Sequence, residues 1–196
     1  MLFRSVLGWL AGAGVWDKIY WCTRLHHNQW DTFVDSDWAG EQKHGCPRSR
    51  TGVIILLNGL PVHWSSNKQP ETAISSAQAE IYAISEACKD IRLRLWVADE
   101  IGLQPSYSTD IKVDNQSGVY FQNKMNPASK LKGVFDLRDK WVQELQDRRI
   151  IAAVKVNTSV NLADQLTKPL NGNKLLQLEQ CLQAHRKMLE LEKQRR

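Results

Sequence analysis

The sequence predicts an α/β domain with a mixed five-stranded sheet, three antiparallel strands first, and helices on both faces. Three observations predict it. Three β-prone runs follow one another between Thr32 and Ser65, and the hairpin signal Asn58-Gly59 joins the last two. A long apolar stripe with helical spacing comes next, from Ile81 to Ala98. Two further β-prone runs, separated by helical patterns, complete the order βββαβα(α)βα.

The length and composition of the chain suit one such domain with an extension at each end. A chain of 196 residues, 42% of them hydrophobic, is long enough to bury a core. We expect a domain at residues 31–170, preceded by an extension at 1–30 and followed by an amphipathic helix at 171–196. The net charge of +5 suits a polyanionic partner without demanding one.

The first three strands are predicted from β-branched runs and the turn residues between them. They are Thr32–Val34, Val53–Leu57 and Val62–Ser65. If the first strand continues, the carboxylates of Asp35 and Asp37 lie on the same face of it, because successive side chains alternate. An aspartate at a strand end is also an ordinary turn residue.

The long helix is predicted from its start, its spacing and its end. Ser75 and Gln78 have the spacing of a capping box, and Gly102 is typical of a helix end. We expect Glu80 in the first turn, where the helix dipole favours a carboxylate, so it has a structural interpretation beside a functional one. The apolar positions repeat at intervals of three and four: Ile81, Ile84, Cys88, Ile91, Leu95 and Ala98.

The second half of the domain is predicted to hold two more strands. Asp110–Val113 runs directly into Asp114, which is both a strand-end residue and an expected helix N-cap. Because open α/β sheets usually keep their sites at the carboxyl ends of strands, Asp114 is a candidate site residue. A helical region follows at Leu131–Gln146, and a fifth strand at Ile150–Val156.

A short final helix carries the last of four candidate site acids. Asn161 is expected to cap it, and Pro169 to stop it. One sheet with helices packed on it could bring all four acids together; they are Asp35, Glu80, Asp114 and Asp164. Converging carboxylates suit a hard divalent cation, which predicts Mg²⁺, with Mn²⁺ as the alternative ion and Asp37 as a further ligand.

Four ordered motifs carry a family resemblance. They are DSDWAG at 35–40, the run SRTGVIILLNGLPVHWSSNKQPETAISSAQAEIYAISEA at 49–87, VDNQS at 113–117 and NLADQLTK at 161–168. Together they resemble the ribonuclease H domain of copia-type retrotransposon polyproteins, in the ribonuclease H-like superfamily. The likeness covers residues 31–170.

The resemblance implies a retroelement-derived, metal-dependent endonuclease that hydrolyses the RNA strand of RNA–DNA hybrids. In that reading Asp35, Glu80 and Asp114 bind the metals, and Asp164 completes a second metal site. Such a protein senses A-like helix geometry and holds phosphates with basic residues. The residues expected to contact nucleic acid are Lys68, Asn115, Gln116, Lys130 and Lys132.

The chain also departs from the family pattern. The family's T-K-H-I-D-[IV]-R-Y-H-F-like stretch aligns with Lys132–Trp141, where both family histidines are absent, and no histidine occurs between His63 and His185. The chain also lacks a polymerase motif such as Tyr-x-Asp-Asp. The alternative hypothesis is therefore a domesticated, catalytically weak or inactive subunit with a structural or binding role in an organellar or ribonucleoprotein assembly. On sequence alone, whether the chain is an enzyme stays open.

Both ends of the chain are candidate contacts for protein partners. The first sixteen residues are apolar and acid-free but short for a spanning helix, and they suit a docking segment, a targeting signal or a remnant of an upstream polyprotein. The scattered cysteines favour an intracellular location. That location is nuclear or cytoplasmic, or an organelle (mitochondrion or plastid) if the N-terminus is a targeting signal. A heptad seam predicts a docked C-terminal helix: Leu175, Leu178, Leu182, His185 and Leu189.

Overall fold

A computed structural model describes residues 28–40, 47–103, 105, 107–115 and 137–181. Within these ranges the strands are β1 (Trp30–Asp37), β2 (Arg50–Leu57), β3 (Leu60–Lys68), β4 (Thr109–Val113) and β5 (Ile151–Lys155). The α-helices are α1 (Ser76–Glu100), α2 (Leu137–Asp147), α3 (Asp164–Thr167) and α4 (172–181), and a 3-10 turn at Thr158–Val160 precedes α3.

The five strands form one mixed sheet in the order β3-β2-β1-β4-β5. The first three strands pair antiparallel, whereas β4 pairs parallel with both β1 and β5. The predicted fold class is therefore confirmed. Strand β1 is longer than predicted, because its pairing with β2 continues to Asp37, opposite Arg50.

One face of the sheet is covered by α1 and α2. The sheet side chains on this face include Val34, Val53, Ile55, Ile111 and Val113. They pack against Ala83, Ile84, Ala87, Cys88 and Ile91 of α1 and against Val142 and Leu145 of α2. Removal of this apolar surface from water is the main term that holds the helices on the sheet.

The buried stripe of α1 differs in part from the predicted one. Ile81 and Leu95 are only half-buried, whereas the other four predicted positions are buried. Three alanines that the pattern did not include are fully buried: Ala79, Ala83 and Ala87. Small side chains let the helix backbone lie close to the sheet, and a pattern built on large apolar residues overlooks them.

Both ends of α1 follow the predicted capping chemistry, with one difference. The Ser75 hydroxyl accepts a hydrogen bond from the backbone N–H of Gln78 at 3.2 Å. The Gln78 side chain accepts from the N–H of Ile74 at 2.8 Å, one residue before the N-cap that a capping box would engage. At the other end Gly102 has φ +72°, and the N–H of Leu103 donates to the carbonyl of Ala98 at 2.8 Å.

The opposite face of the sheet is covered by α3 and α4. Its core joins Phe33, Ile54 and Leu56 of the sheet to Leu162, Ala163, Leu166 and Leu178. Leu178 belongs to α4 and is fully buried, so this helix packs on the domain. The later positions of the predicted heptad seam lie outside the described residues.

One predicted helix start is wrong, and another lies outside the described residues. The N-cap of α3 is Ala163, not Asn161. The buried Asn161 side chain instead accepts from the N–H of Ala163 at 3.2 Å and donates to the carbonyl of Val34 at 3.0 Å, which ties the turn before α3 to β1. The helix expected after Asp114 lies outside the described residues, as do residues 131–136 of the predicted helix at 131–146. No helix in the described ranges has both the length and the apolar run that crossing a membrane requires.

Candidate metal centre

Two of the four candidate acids lie side by side at the carboxyl ends of neighbouring strands. Strands β1 and β4 are parallel neighbours, with Val34 opposite Val113. The next residue of each strand is an aspartate, Asp35 on β1 and Asp114 just after β4. The carboxyl ends of the two strands therefore present two carboxylates at the same edge of the sheet, one buried and one half-buried.

Helix α1 brings a third carboxylate to this edge. One carboxylate oxygen from each of Asp35, Glu80 and Asp114 lies within 4.8 Å of the other two. Glu80 lies just past the first turn of α1, in which it was predicted, because the helix begins at Ser76 and its first turn holds no acid. Its position is therefore decided by the packing of α1 on β1 and β2 rather than by the favourable dipole at the helix start.

Burial and mutual repulsion make Glu80 and Asp35 hard to ionise. Burial and, after it, the charge of the neighbouring Asp35 raise the pKa of Glu80 to about 8, against the lowering effects of Ser36 and Lys168. Burial also raises the pKa of Asp35 to about 6, against the lowering effect of a hydrogen bond from Thr167. Like charges at this spacing disfavour ionisation of Glu80 and Asp35 unless a cation is present.

The residues present fit a divalent cation. All three groups offer hard carboxylate oxygens, the ligands that Mg²⁺ and Mn²⁺ prefer. Among the described residues, Glu80 Oε2 is buried and has no hydrogen-bond partner. A buried carboxylate oxygen without a partner is costly, and coordination of a cation would remove that cost.

Helix α3 supports the group from the other side. The hydroxyl of Thr167 donates a short hydrogen bond to Asp35 Oδ2 and a second one to the carbonyl of Asp164 at 3.0 Å. Asp164 is buried and forms an ion pair with Lys168, with 2.6 Å between Oδ1 and Nζ. Asp164 is not part of the three-residue group; its charge adds to the factors that raise the pKa of Asp35.

Lys168 supplies a positive charge beside these carboxylates. Burial lowers its pKa, but the hydrogen bond to Asp164 and the charges of Asp35, Asp164 and Asp37 outweigh burial, and the pKa is raised above 10.5. The ammonium is therefore charged at neutral pH. Its side chain is 42% exposed, whereas that of Asp164 is 3% exposed.

Gly52 is a site residue that the sequence interpretation missed. It lies opposite Asp35 in the β1–β2 ladder. A Cβ atom there would lie 2.9 Å from Ala163 O, Leu166 Cβ and Thr167 Cγ2, so only glycine lets α3 approach β2 this closely. A glycine inside a β-prone run is the available sequence signal for such close approach.

The remaining predicted site residues are placed as follows. Asp37 shares the strand face of Asp35, is half-buried, and its carboxylate lies against Gly40, outside the three-residue group. Lys68 is exposed at the end of β3, and Asn115 is half-buried directly after Asp114. Gln116, Lys130 and Lys132 lie outside the described residues.

Comparisons of sequence relate the chain to transposon polyproteins. No protein-family model matches it. It is 29% identical, over 171 residues, to the retrovirus-related Pol polyprotein from transposon RE2 of Arabidopsis thaliana, covering 86% of this chain and 11% of the relative. It is 28% identical over 154 residues to that from transposon TNT 1-94 of Nicotiana tabacum, covering 78% and 11%. The chain thus spans about a tenth of the length of the curated relatives it matches.

Comparison of structures identifies the fold. The chain superposes on LC11-RNase H1, solved in complex with an RNA/DNA hybrid, with a TM-score of 0.52 and 18% identity, covering 71% of this chain and 94% of that one. The chain is thus similar in sequence to part of the retrovirus-related Pol polyproteins of plant transposons, and its fold is ribonuclease H-like.

Proposed function

We propose that this chain is a divalent-metal-dependent endonuclease that hydrolyses the RNA strand of RNA–DNA hybrids. The observation that carries the proposal is the convergence of Asp35, Glu80 and Asp114 at the carboxyl ends of β1 and β4. The ribonuclease H-like fold and the Pol polyprotein relatives support it, as does the RNA/DNA hybrid in the complex of LC11-RNase H1.

In this proposal Asp35, Glu80 and Asp114 hold a Mg²⁺ or Mn²⁺ ion, Asp164 contributes to a second ion, and Asp37 is a further ligand. Divalent ions held by carboxylates supply an activated water nucleophile and stabilise the charge that develops on phosphate oxygens. The protein's own contribution is to fix the ligands in place before the substrate arrives.

Two neighbours position Asp35 for this task, and the other two ligands are placed by their own elements. Thr167 orients its carboxylate by a hydrogen bond, and Gly52 lets Thr167 come close enough to do so. Glu80 is held by a long helix whose apolar face is buried over several turns. Asp114 is the most exposed of the three ligands, which leaves the centre open to a phosphate on its side.

Ion binding and proton release are coupled in this site. Because burial raises the pKa of Glu80 to about 8, its carboxyl group is mostly protonated at pH 7 without a cation. Carboxylate ligands must be deprotonated to coordinate, so binding releases protons and becomes tighter as the pH rises. The affinity for the metal is therefore higher on the alkaline side of neutrality than at pH 7.

Nucleic-acid contacts in this proposal come from residues around the centre. Lys68 at the end of β3 and Asn115 beside Asp114 are expected to contact the substrate, together with Gln116, Lys130 and Lys132. Contacts with phosphates make the affinity fall with salt, and 2′-hydroxyl contacts make it depend on the RNA strand.

The proton for the leaving 3′ oxygen is supplied by solvent in this proposal. The sequence has no histidine between His63 and His185. His63 lies on β3 and is engaged by Asp90 at 3.1 Å and by Arg94 at 2.6 Å. A histidine that is held between an acid and an arginine is poorly suited to transfer a proton to the leaving group.

The test is cleavage of a labelled RNA–DNA hybrid by the purified chain in Mg²⁺ or Mn²⁺, beside single-stranded RNA and an RNA duplex. We expect cutting specific to the hybrid that is lost in Asp114→Asn and retained in Asp147→Asn, an acid at the end of α2 away from the group. A folded protein that cuts none of these substrates would reject the enzyme and favour a binding subunit. Cutting that survives in Asp114→Asn would reject the assigned centre.

A further inference from the structure

Lys168 places a positive charge beside the candidate metal centre. Its ammonium lies 2.6 Å from Asp164 Oδ1. It also interacts electrostatically with Asp35, Asp37 and Glu80, so its charge acts on four carboxylates.

The two sides of the centre therefore differ in what they offer a cation. In the three-residue group, Glu80 Oε2 is buried and has no hydrogen-bond partner in the described residues. On the side of Asp164, one Asp35 oxygen is engaged by Thr167 and one Asp164 oxygen by the Lys168 ammonium. A divalent ion finds an unused ligand oxygen in the group and a position already occupied by a positive charge beside Asp164.

We propose that the Lys168 ammonium occupies the cation position beside Asp164, so that the centre binds one divalent ion firmly and a second only when the ammonium is displaced. This inference rests on the proposed function, since it concerns the same carboxylates. Lys168 is then a positioning residue. It holds Asp164 in place and compensates part of the negative charge without itself contacting the reacting atoms.

The physical basis is repulsion between like charges at short range. A divalent ion that used Asp164 as a ligand would lie within a few ångströms of the ammonium, in a partly buried site where the charges are weakly screened. The lysine side chain is 42% exposed, so it can turn towards solvent without disturbing the core. Occupation of the second position thus requires displacement of a side chain rather than unfolding.

The experiment is a Mn²⁺ titration of the full chain, with bound ions counted by electron paramagnetic resonance of the free ion. The titration is repeated for Lys168→Met and Lys168→Arg. We expect the native chain to bind one ion firmly and a second at least about tenfold more weakly. Lys168→Met is expected to bind the second ion at least about tenfold more tightly, and Lys168→Arg to behave as the native chain, because arginine keeps the charge.

Two further variants test whether the effect of Lys168→Met is purely structural. Lys112→Met removes a lysine that is also paired with a buried aspartate, at 2.7 Å; this partner, Asp31, lies opposite Asp110 at the amino ends of β1 and β4. This variant is expected to bind the second ion as weakly as the native chain does. The double variant Lys168→Met with Asp164→Asn is expected to bind the second ion less tightly than Lys168→Met alone, because the ligand that Lys168 shields has been removed.

The outcomes separate the inference from the proposed function. Equal affinity for both ions in the native chain, or no change in Lys168→Met shown to be folded by circular dichroism, would overturn the inference and leave the metal centre intact. A folded native chain that binds no Mn²⁺ would overturn the metal centre and the inference with it.

Discussion

The two ends of the β1–β4 strand pair hold acidic residues that differ in their balance of charge. At the amino ends Asp31 lies opposite Asp110, and Lys112 pairs with Asp31 at 2.7 Å while its ammonium lies 5.0 Å from the ring centre of Phe33. Two carboxylates there share one lysine. At the carboxyl ends the charge of Lys168 acts on four carboxylates, and Asp114 adds a fifth acid; the four are Asp35, Asp37, Glu80 and Asp164.

This difference indicates which buried acids are structural and which are available to a ligand. Asp31 is fully buried, and its ion pair with Lys112 lies within the sheet. Burial, and then the charge of Asp31, raises the pKa of the neighbouring Asp110. At the carboxyl end the excess of negative charge is larger, and an external cation is the means of balancing it. Burial of an acid alone is therefore a weaker indicator of a site than burial combined with a shortage of compensating charge.

The largest expected effect is the loss of hybrid cleavage in Glu80→Gln. An amide keeps the shape of the side chain but removes the anionic ligand, so the cleavage rate should fall at least about 100-fold. Asp110→Asn, at the amino end of β4, is the matched change and should leave the rate within about twofold of the native one. Steady-state cleavage of the hybrid measures both. A comparable loss in Asp110→Asn would remove the distinction between the two ends.

The next effect concerns stability against pH in the absence of metal. The folded-state pKa values of Glu80, about 8, and Asp35, about 6, lie above their ordinary values of 4.5 and 3.8, so the folded state binds more protons. The free energy of unfolding in EDTA should therefore fall as the pH rises from about 4 to 8, by several kcal/mol. Urea denaturation at several pH values measures it.

Metal provides the control for this pH effect. With Mg²⁺ present the carboxylates are compensated, so the fall with pH should be much smaller or reversed. In EDTA, the free energy of unfolding of Glu80→Gln should no longer fall between pH 6 and 8. An unchanged pH dependence in that variant would show that Glu80 is not the group responsible.

A smaller effect is expected from Gly52→Ala. The added Cβ would lie 2.9 Å from three atoms of the α3 region, so the helix must shift and Asp35 loses its support from Thr167. We expect a destabilisation of about 1–3 kcal/mol and weaker Mn²⁺ binding. Thermal unfolding and metal titration measure these changes. Gly172→Ala is the control, because a Cβ there meets nothing within 4 Å; equal effects of both changes would refute the close-packing argument.

The smallest effect is expected from Lys68→Ala. Lys68 is exposed at the end of β3, and loss of one phosphate contact should weaken hybrid binding a few-fold and reduce the slope of log affinity against log salt by about one. Arg148→Ala, an exposed cation after α2, should leave the slope unchanged. Fluorescence anisotropy with a labelled hybrid at several salt concentrations measures both slopes, and identical slopes would exclude a phosphate contact by Lys68.

The order of elements and the four acidic motifs were predictable because their signals are local. Asn58-Gly59, Ser75 with Gln78, and Gly102 each specify a turn, a helix start or a helix end by chemistry within a few residues. The parallel pairing of β1 with β4, which places Asp35 beside Asp114, is seen only in the structure; the sequence predicted a mixed sheet without that pairing. The α/β class and the candidate ligands thus follow from short stretches of sequence.

The sequence by itself determined the elements, their order and which residue types could bind a divalent ion. Only the tertiary structure decided that Gly52 admits α3, that Asn161 ties its turn to β1, and that Lys168 pairs with Asp164 beside Asp35. Gly52 and Asn161 act on residues more than a hundred positions away in the chain, and the effect of Lys168 on Asp35 spans a similar separation. Local propensity carries no information about such contacts, because close approach and the balance of charge exist only once the chain has folded.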